Sequence, residues 1–279
     1  MRGRRLSGPM FDAIAPIRMQ RSRGAASVRL GPRGIEDLAQ SGSAKAMLPR
    51  MTAGRPEIVF LNTAGGLASG DRLDYRIELA PRTQALATTQ TAERAYRAKD
   101  APAQIRLHLQ VGEGGWLDWL PQETILYDGA RLGRETAVDL APGAGCLLLE
   151  PIILGRLAMG ETIRHLQLTD RRIVRQDGRM IHHDALALDD AALSRLHHPA
   201  MLGKARAMAS LALIAPHAAD LLEPARAVLD EPGVTGAASA PPGRLILRLL
   251  ADDGWPLRRQ VIRLLRVLRP DPLPRIWQV

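Results

Sequence analysis

A chain of 279 residues, 46% hydrophobic and 24% charged, is long enough to bury a sizeable core and too apolar to stay disordered. Its formal net charge of +9 is almost wholly arginine, since Lys45, Lys99 and Lys204 are the only lysines among 38 basic residues; a drift toward arginine codons gives that skew without any functional demand, and net charge speaks to association rather than fold. Aromatics at 3% without an RNP-like box set nucleic-acid binding aside, the single Cys146 excludes a disulfide framework and a multi-thiolate metal site, and no apolar run approaches the ~20 residues of a membrane span.

In chain order, residues 1–15 lack periodicity and read as a flexible tail, with no apolar signal-peptide core behind the basic start. The expectation is a soluble, cytoplasmic protein with one domain over 16–279. Short β-branched or apolar runs at Ser27–Leu30 and Glu57–Leu61 read as strands, separated by the Gly-, Pro- and Ser-rich stretch Gly31–Pro49.

From about Asp71 to Glu161 one pattern recurs three times, every 30 to 32 residues. Each unit opens with an alternating strand, at 73–79, 105–111 and 136–140, and alternation of period two means one face buried and one wet. A tight Pro or Gly turn follows: Ala80-Pro81-Arg82, Gly112 to Gly115, Ala141-Pro142-Gly143. Then comes a continuously apolar strand, at 85–89, 116–120 and 146–149, of the kind covered on both faces. Such units share a core only when stacked, which predicts a mainly β fold: an irregular β-helix or solenoid-like stack over about 57–190, with an antiparallel sandwich as the competing architecture. Trp116 and Trp119 are expected on opposite faces of their strand.

The part from about 200 to 279 reads as α/β, with strands at 209–215 and 245–250 and about two helices. One runs from His217 to Asp230, stopped by Glu231-Pro232-Gly233; the other places Leu257, Val261, Leu264, Leu265 and Leu268 opposite a row of arginines and ends at Pro270. A basic amphipathic helix of this kind most often covers a sheet, the other readings being that it lies on a membrane or docks on an acidic partner.

Signatures of catalysis are missing. There is no P-loop, no G-x-G-x-x-G, no H-E-x-x-H, no G-x-S-x-G and no C-x-x-C. His182 and His183 would point to opposite faces of a strand, so they would not chelate one ion there. Asp71, Glu123, Glu150 and Glu161 are carboxylates set beside glycine or apolar sequence; each needs a partner if buried, by a salt bridge, a capping hydrogen bond or a role in a polar path.

Six ordered blocks resemble the UreD (UreH) family of urease accessory proteins: Asn62 to Asp71; Thr88-Thr89-Gln90 with Tyr96-Arg97; Leu117 to Ile125, containing W-L-P-Q-E; Leu149-Glu150 with Leu154-Gly155-Arg156; Met159-Gly160-Glu161; and Leu273 to Trp277. Family members often carry two glycines before the aspartate, where this chain has Ser69-Gly70. The resemblance implies a mainly β fold of irregular helical winding with two α-helices, and no enzymatic activity. It further implies binding to the UreF accessory protein, which recruits the GTPase UreG, and docking on apo-urease with its UreA-, UreB- and UreC-type subunits. Nickel delivery through a water-filled polar tunnel is implied as well, with nickel a transient passenger and no permanent cofactor. Asn62, Asp71, Gln90, Glu123, Glu150, Arg156 and Glu161 are the tunnel or partner-interface candidates, and no metal ligand set is named. A carbohydrate-active β-helix enzyme with paired carboxylates is the alternative.

Overall fold

A computed structural model describes residues 21–50, 54–196, 198 and 201–278; the tail expected at 1–15, together with His197 and Pro199, lies outside them. The described chain is mainly β and winds into about four solenoid-like stacked coils. The first coil contains β1 (Arg23–Gly31), β2 (Gly34–Gly42), β3 (Ala44–Met47) and β4 (Glu57–Asn62). The second has β5 (Arg72–Leu79), β6 (Gln84–Thr89) and β7 (Glu93–Ala95), the third β8 (Ala103–Val111), β9 (Trp116–Trp119) and β10 (Thr124–Leu126), and the fourth β11 (Ala130–Leu140) and β12 (Gly145–Leu154). A hairpin, β13 (Leu166–Gln176) and β14 (Arg179–Leu188), is followed by a one-turn helix, α1 (Asp190–Leu193). Then come β15 (Ala207–Ile214), α2 (Leu222–Arg226), β16 (Val234–Ser239), β17 (Arg244–Ala251) and α3 (Gly254–Leu268).

Two sheets face each other. Sheet one has the order β14-β13-β11-β8-β5-β1-β2, and sheet two β16-β17-β15-β12-β9-β6-β4-β3. The run β1-β5-β8-β11-β13 is parallel throughout, as is β4-β6-β9-β12. Stacked parallel coils, not an antiparallel sandwich, are therefore the architecture. Partner residues are 32 apart from β5 to β8 and 29 apart from β8 to β11; the loops absorb the difference while the ladders stay in register.

Register explains why alternation reads as it does. Val28, Ile77, Leu109, Val138 and Val174 line up across five strands of sheet one, each at most 1% exposed, an aliphatic ladder that shields both strand neighbours from water. On the outer face Asp74, Arg106, Glu135 and Arg171 line up in the same way. Sheet two is covered on both sides. Its inner face joins the core between the sheets, where Trp119 lies, and its outer face packs under α3, with Trp116 at that side.

Two expectations need correction. The stretch Gly31–Pro49 is not a separator, since it carries β2 and β3; β2 has no buried residue, so it lacks the alternation that betrays a strand. The helix expected over His217–Asp230 is broken into a 3-10 turn, Ala218–Leu221, and the five-residue α2. The second expected helix forms as α3, capped at its start by the Asp253 carboxylate on the Gly254 amide, 2.6 Å.

Candidate functional site

The two inward rows of sheet one beside the aliphatic ladder begin apolar and turn ionic at β11. Leu73 and Ile105 give way to Arg134 and Asp170, and Tyr75 and Leu107 to Thr136, Arg172 and Asp184. Facing them, Glu150, Ser210 and Arg248 align across β12, β15 and β17 of sheet two. The result is a buried seam of alternating charge. Arg134 pairs with the Glu150 carboxylate at 2.6 Å and makes a two-pronged contact with Asp170 at 2.7 and 3.1 Å. Arg172 pairs with Asp184 at 3.0 Å and donates to the Ser210 hydroxyl, and Asp184 receives both prongs of Arg248 at 2.6 Å. Arg248 is half exposed, so the seam reaches solvent there. At its deep end Trp119 donates its indole N–H to Glu150 at 3.1 Å.

The electrostatics follow from burial and partner. Burial works against the Asp170 charge, but Arg134 and then Arg172 outweigh it and hold that carboxyl below its usual range. For Glu150, burial wins over Arg134 and its pKa is raised. His182 is lowered, first by burial, and lies beside the seam on the inner face of β14 while its neighbour His183 is exposed, as strand geometry requires.

At the corner of the second coil, Asn62 donates its amide to both oxygens of Glu93, at 3.1 and 3.3 Å. The two side chains line a cavity of about 20 Å³ with Tyr75, Thr89 and Thr91, enough for one water. Glu93 has no ion pair among the described residues, and burial, opposed mainly by Asn62, pushes its pKa up to about 7. Asp71 is a turn cap: its oxygens accept from the Ser22 and Ala68 amides at 2.7 and 2.8 Å. Next to it the Ser69 hydroxyl accepts from the Lys99 amide at 2.7 Å. Gly66 sits at φ 151°, and a Cβ there would stand 2.3 Å from the Tyr96 ring. Gln90 is exposed, and its backbone amide donates to the Phe60 carbonyl at 2.8 Å.

Next to that corner, Tyr96 and Tyr127 meet edge to face at 5.1 Å and Arg156 stacks on Tyr127 at 4.4 Å. Arg156 pairs with Glu161 at 3.0 Å, a hydrogen bond that holds the Glu161 pKa down. With Arg97, Asp128 and Arg164 these residues line an open cleft of about 610 Å³. Glu123 belongs elsewhere. It lies 3.8 Å from Arg258 of α3, in the strap that fastens the C-terminus to the coils: Arg258 donates to Gln122 and stacks on Trp277, whose indole donates to the Leu120 carbonyl at 3.0 Å. Beside it Asp118, fully buried, accepts from Trp116 at 2.7 Å and from Arg269 at 2.8 Å.

The seven sequence candidates thus occupy several places rather than one lining. Asn62 and Asp71 share a coil corner, Arg156 and Glu161 share the cleft, Glu123 is under the strap, Glu150 is in the seam, and Gln90 is on the surface. Sequence reasoning missed Glu93, Arg134, Asp170 and Arg172. The signal for Arg134 was present: parity counted back from Val138 through Thr136 lands on it.

The sequence pattern of the UreD urease accessory proteins matches residues 22–278. A urease accessory protein UreD of Cereibacter sphaeroides (strain ATCC 17025) is 56% identical over 274 residues, covering 96% of this chain and 100% of the relative. The corresponding protein of Dinoroseobacter shibae is 46% identical, with 96% of each chain covered, and that of Methylobacterium sp. (strain 4-46) is 41% identical over 94% and 96%.

Proposed function

The chain belongs to the UreD family of urease accessory proteins, and on that premise we propose that it is a non-catalytic, cytoplasmic scaffold of urease maturation. It binds the UreF protein and, through it, the GTPase UreG, docks on apo-urease, and passes nickel as cargo on weakly held oxygen ligands. Carboxylate and amide oxygens suit transit better than a closed cage of imidazoles or thiolates.

The observation that supports the route most directly is Glu93. Its carboxyl lies on the wall of a small cavity at the coil corner, with an amide as its side-chain donor and a pKa near neutrality, so it can give up a proton to a passing cation at little cost. Glu150, engaged by Arg134, serves such a route by shaping the potential of the interior rather than by ligation. Partner contacts fall to the outer β surface, the tyrosine–arginine cleft and the exposed side of α3, where Trp255 is 57% exposed.

Co-expression with apo-urease and the other accessory proteins tests the scaffold: urease activation that is unchanged when this chain is omitted sinks it. For the route, Glu93→Gln should lower urease activation while the complex with UreF still assembles. Loss of assembly would assign Glu93 to folding instead.

A further inference from the structure

The tyrosine–arginine cleft does not end at Arg97. A second open cleft, of about 690 Å³, begins at the same side chain and runs on past Lys99, Arg131 and His165, so the two form one groove across the corners of the second, third and fourth coils. Backbone pairing sets its floor. The Tyr127 amide donates to the Ala95 carbonyl at 3.0 Å and the Gly155 amide to the Leu126 carbonyl at 2.8 Å, which brings Tyr96, Tyr127 and Gly155 side by side, and after them Arg97, Asp128 and Arg156. Charge is sorted within this groove. Its carboxylates are turned to the backbone: Asp128 accepts from the Arg164 and His165 amides at 2.7 and 3.0 Å, Glu161 from the Arg156 and Asp128 amides at 3.0 and 3.2 Å, Asp189 from the Ala192 amide at 2.8 Å and Asp190 from the Leu166 amide at 2.9 Å. Its cations stand at the rim. The side chains of Arg97 and Arg156 stay 62% and 45% exposed beside their ion pairs, and Lys99 and Arg164 are exposed with no side-chain partner among the described residues.

We propose that this groove takes an extended acidic segment of a partner protein, with carboxylates on Arg97, Lys99 and Arg164 and an apolar residue against Leu157 and Met159. Those two are 45% and 72% exposed on the turn between Arg156 and Gly160. Neighbouring coils are ~4.8 Å apart and alternate residues of an extended chain ~6.7 Å apart, so acids at every second position can meet cations held one or two coils from each other. Charge favours this occupant over the rest of the chain and over a second copy. The described chain begins at Arg21, paired with Asp100 at 3.0 Å, and the residues before it hold Arg2, Arg4, Arg5 and Arg18 against the single acid Asp12, so they complement the groove poorly. A second copy with a net charge of +9 is repelled in the same way. A nucleic-acid strand meets carboxylates in the floor, and the ring on which a base would stack already carries Arg156. Such a segment is one partner contact of the scaffold described above, and its assignment rests on that reading.

Fluorescence anisotropy of the purified full chain with a labelled octapeptide of alternating glutamate and leucine should show binding that weakens with added salt. The same peptide with glutamine for glutamate should bind about tenfold more weakly or worse. Lys99→Glu combined with Arg164→Glu should weaken the acidic peptide by a similar factor, with an unchanged far-UV spectrum because both side chains are exposed. Arg33→Glu combined with Arg179→Glu makes the same change in net charge at exposed positions outside the groove and should leave binding within about twofold. In co-expression, the Lys99→Glu, Arg164→Glu variant should lower urease activation. No binding at about millimolar peptide, equal binding of the glutamine peptide or of labelled oligothymidine, or an equal loss in the Arg33→Glu, Arg179→Glu variant would overturn the proposal. So would full urease activation by the Lys99→Glu, Arg164→Glu variant in cells where activation requires this chain. The scaffold reading fails on a different result, activation that is unchanged when the chain is omitted.

Discussion

Replacing Arg134 by Met leaves Glu150 and Asp170 facing one another across the seam without the guanidinium that both contact. Arg134, Glu150 and Asp170 are all buried, so the loss is that of one partner from a buried ionic set, about 3–5 kcal/mol, out of the 5–15 kcal/mol typical of a domain. Met fills the volume of the side-chain stem, so the deficit reports charge rather than a cavity. The two carboxylates abandoned in the variant hold protons more readily, so its deficit against wild type should narrow in acid, by up to about 1.4 kcal/mol per pH unit for each proton taken up. In the wild type, Asp170 lies below its usual pKa, so its contribution is present above the unfolded value of 3.8 and is lost only as the pH falls further. Glu150 is raised, which makes the wild type itself somewhat better off in acid, and the quantity to compare is therefore variant minus wild type. Urea unfolding followed by tryptophan fluorescence at about pH 8 and about pH 5 measures it, since burial without a partner raises a carboxyl pKa. A deficit under about 1 kcal/mol, or one equal at both pH values, would refute the view that Arg134 compensates buried charge.

Trp277→Ala removes the hydrogen bond to Leu120 and the platform for Arg258, and calorimetry should record a loss of about 3–5 kcal/mol. Glu93→Gln should flatten the dependence of stability on pH. Because the folded pKa of Glu93 is raised from 4.5 to about 7, the wild type is best off below the unfolded value and loses stability as the pH climbs to the folded one, so the variant should gain on it above neutrality. Gly66→Ala combines a left-handed φ of 151° with a clash on the Tyr96 ring and should cost about 1–3 kcal/mol, read as a lowered Tm with a changed tyrosine spectrum.

Much of the stack was legible because β5, β8 and the end of β11 bury one face and wet the other, and β9 and β12 are covered on both. What escaped did so for the same reason in reverse. β2 buries neither face. β13 and β14 bury Asp170, Arg172, His182 and Asp184, so their inward positions read as surface. Glu93 sits in a three-residue strand, too short to show alternation, and its pairing with Asn62, 31 residues away, gives it significance. The W-L-P-Q-E block and the final Leu273–Trp277 block were read separately, yet they are two halves of one joint, in which Trp277 and Arg258 close on Leu120 and Gln122.

The outer row Asp74–Arg106–Glu135–Arg171 acts as a parity check on winding. A coil that slips by one residue turns inside out and is rejected by its aliphatic ladder. A slip of two keeps leucines and valines inward and would pass that filter unnoticed, but it sets Arg106 against Gly133 or Ala137 and Arg171 against Gly133 or Ala137 in place of Glu135. Breaking each opposite-charge pair forfeits roughly 0.2–1 kcal/mol, and the penalties accumulate with every coil laid down on the misplaced one. The outer face thus adds a check on an error that the aliphatic ladder alone tolerates.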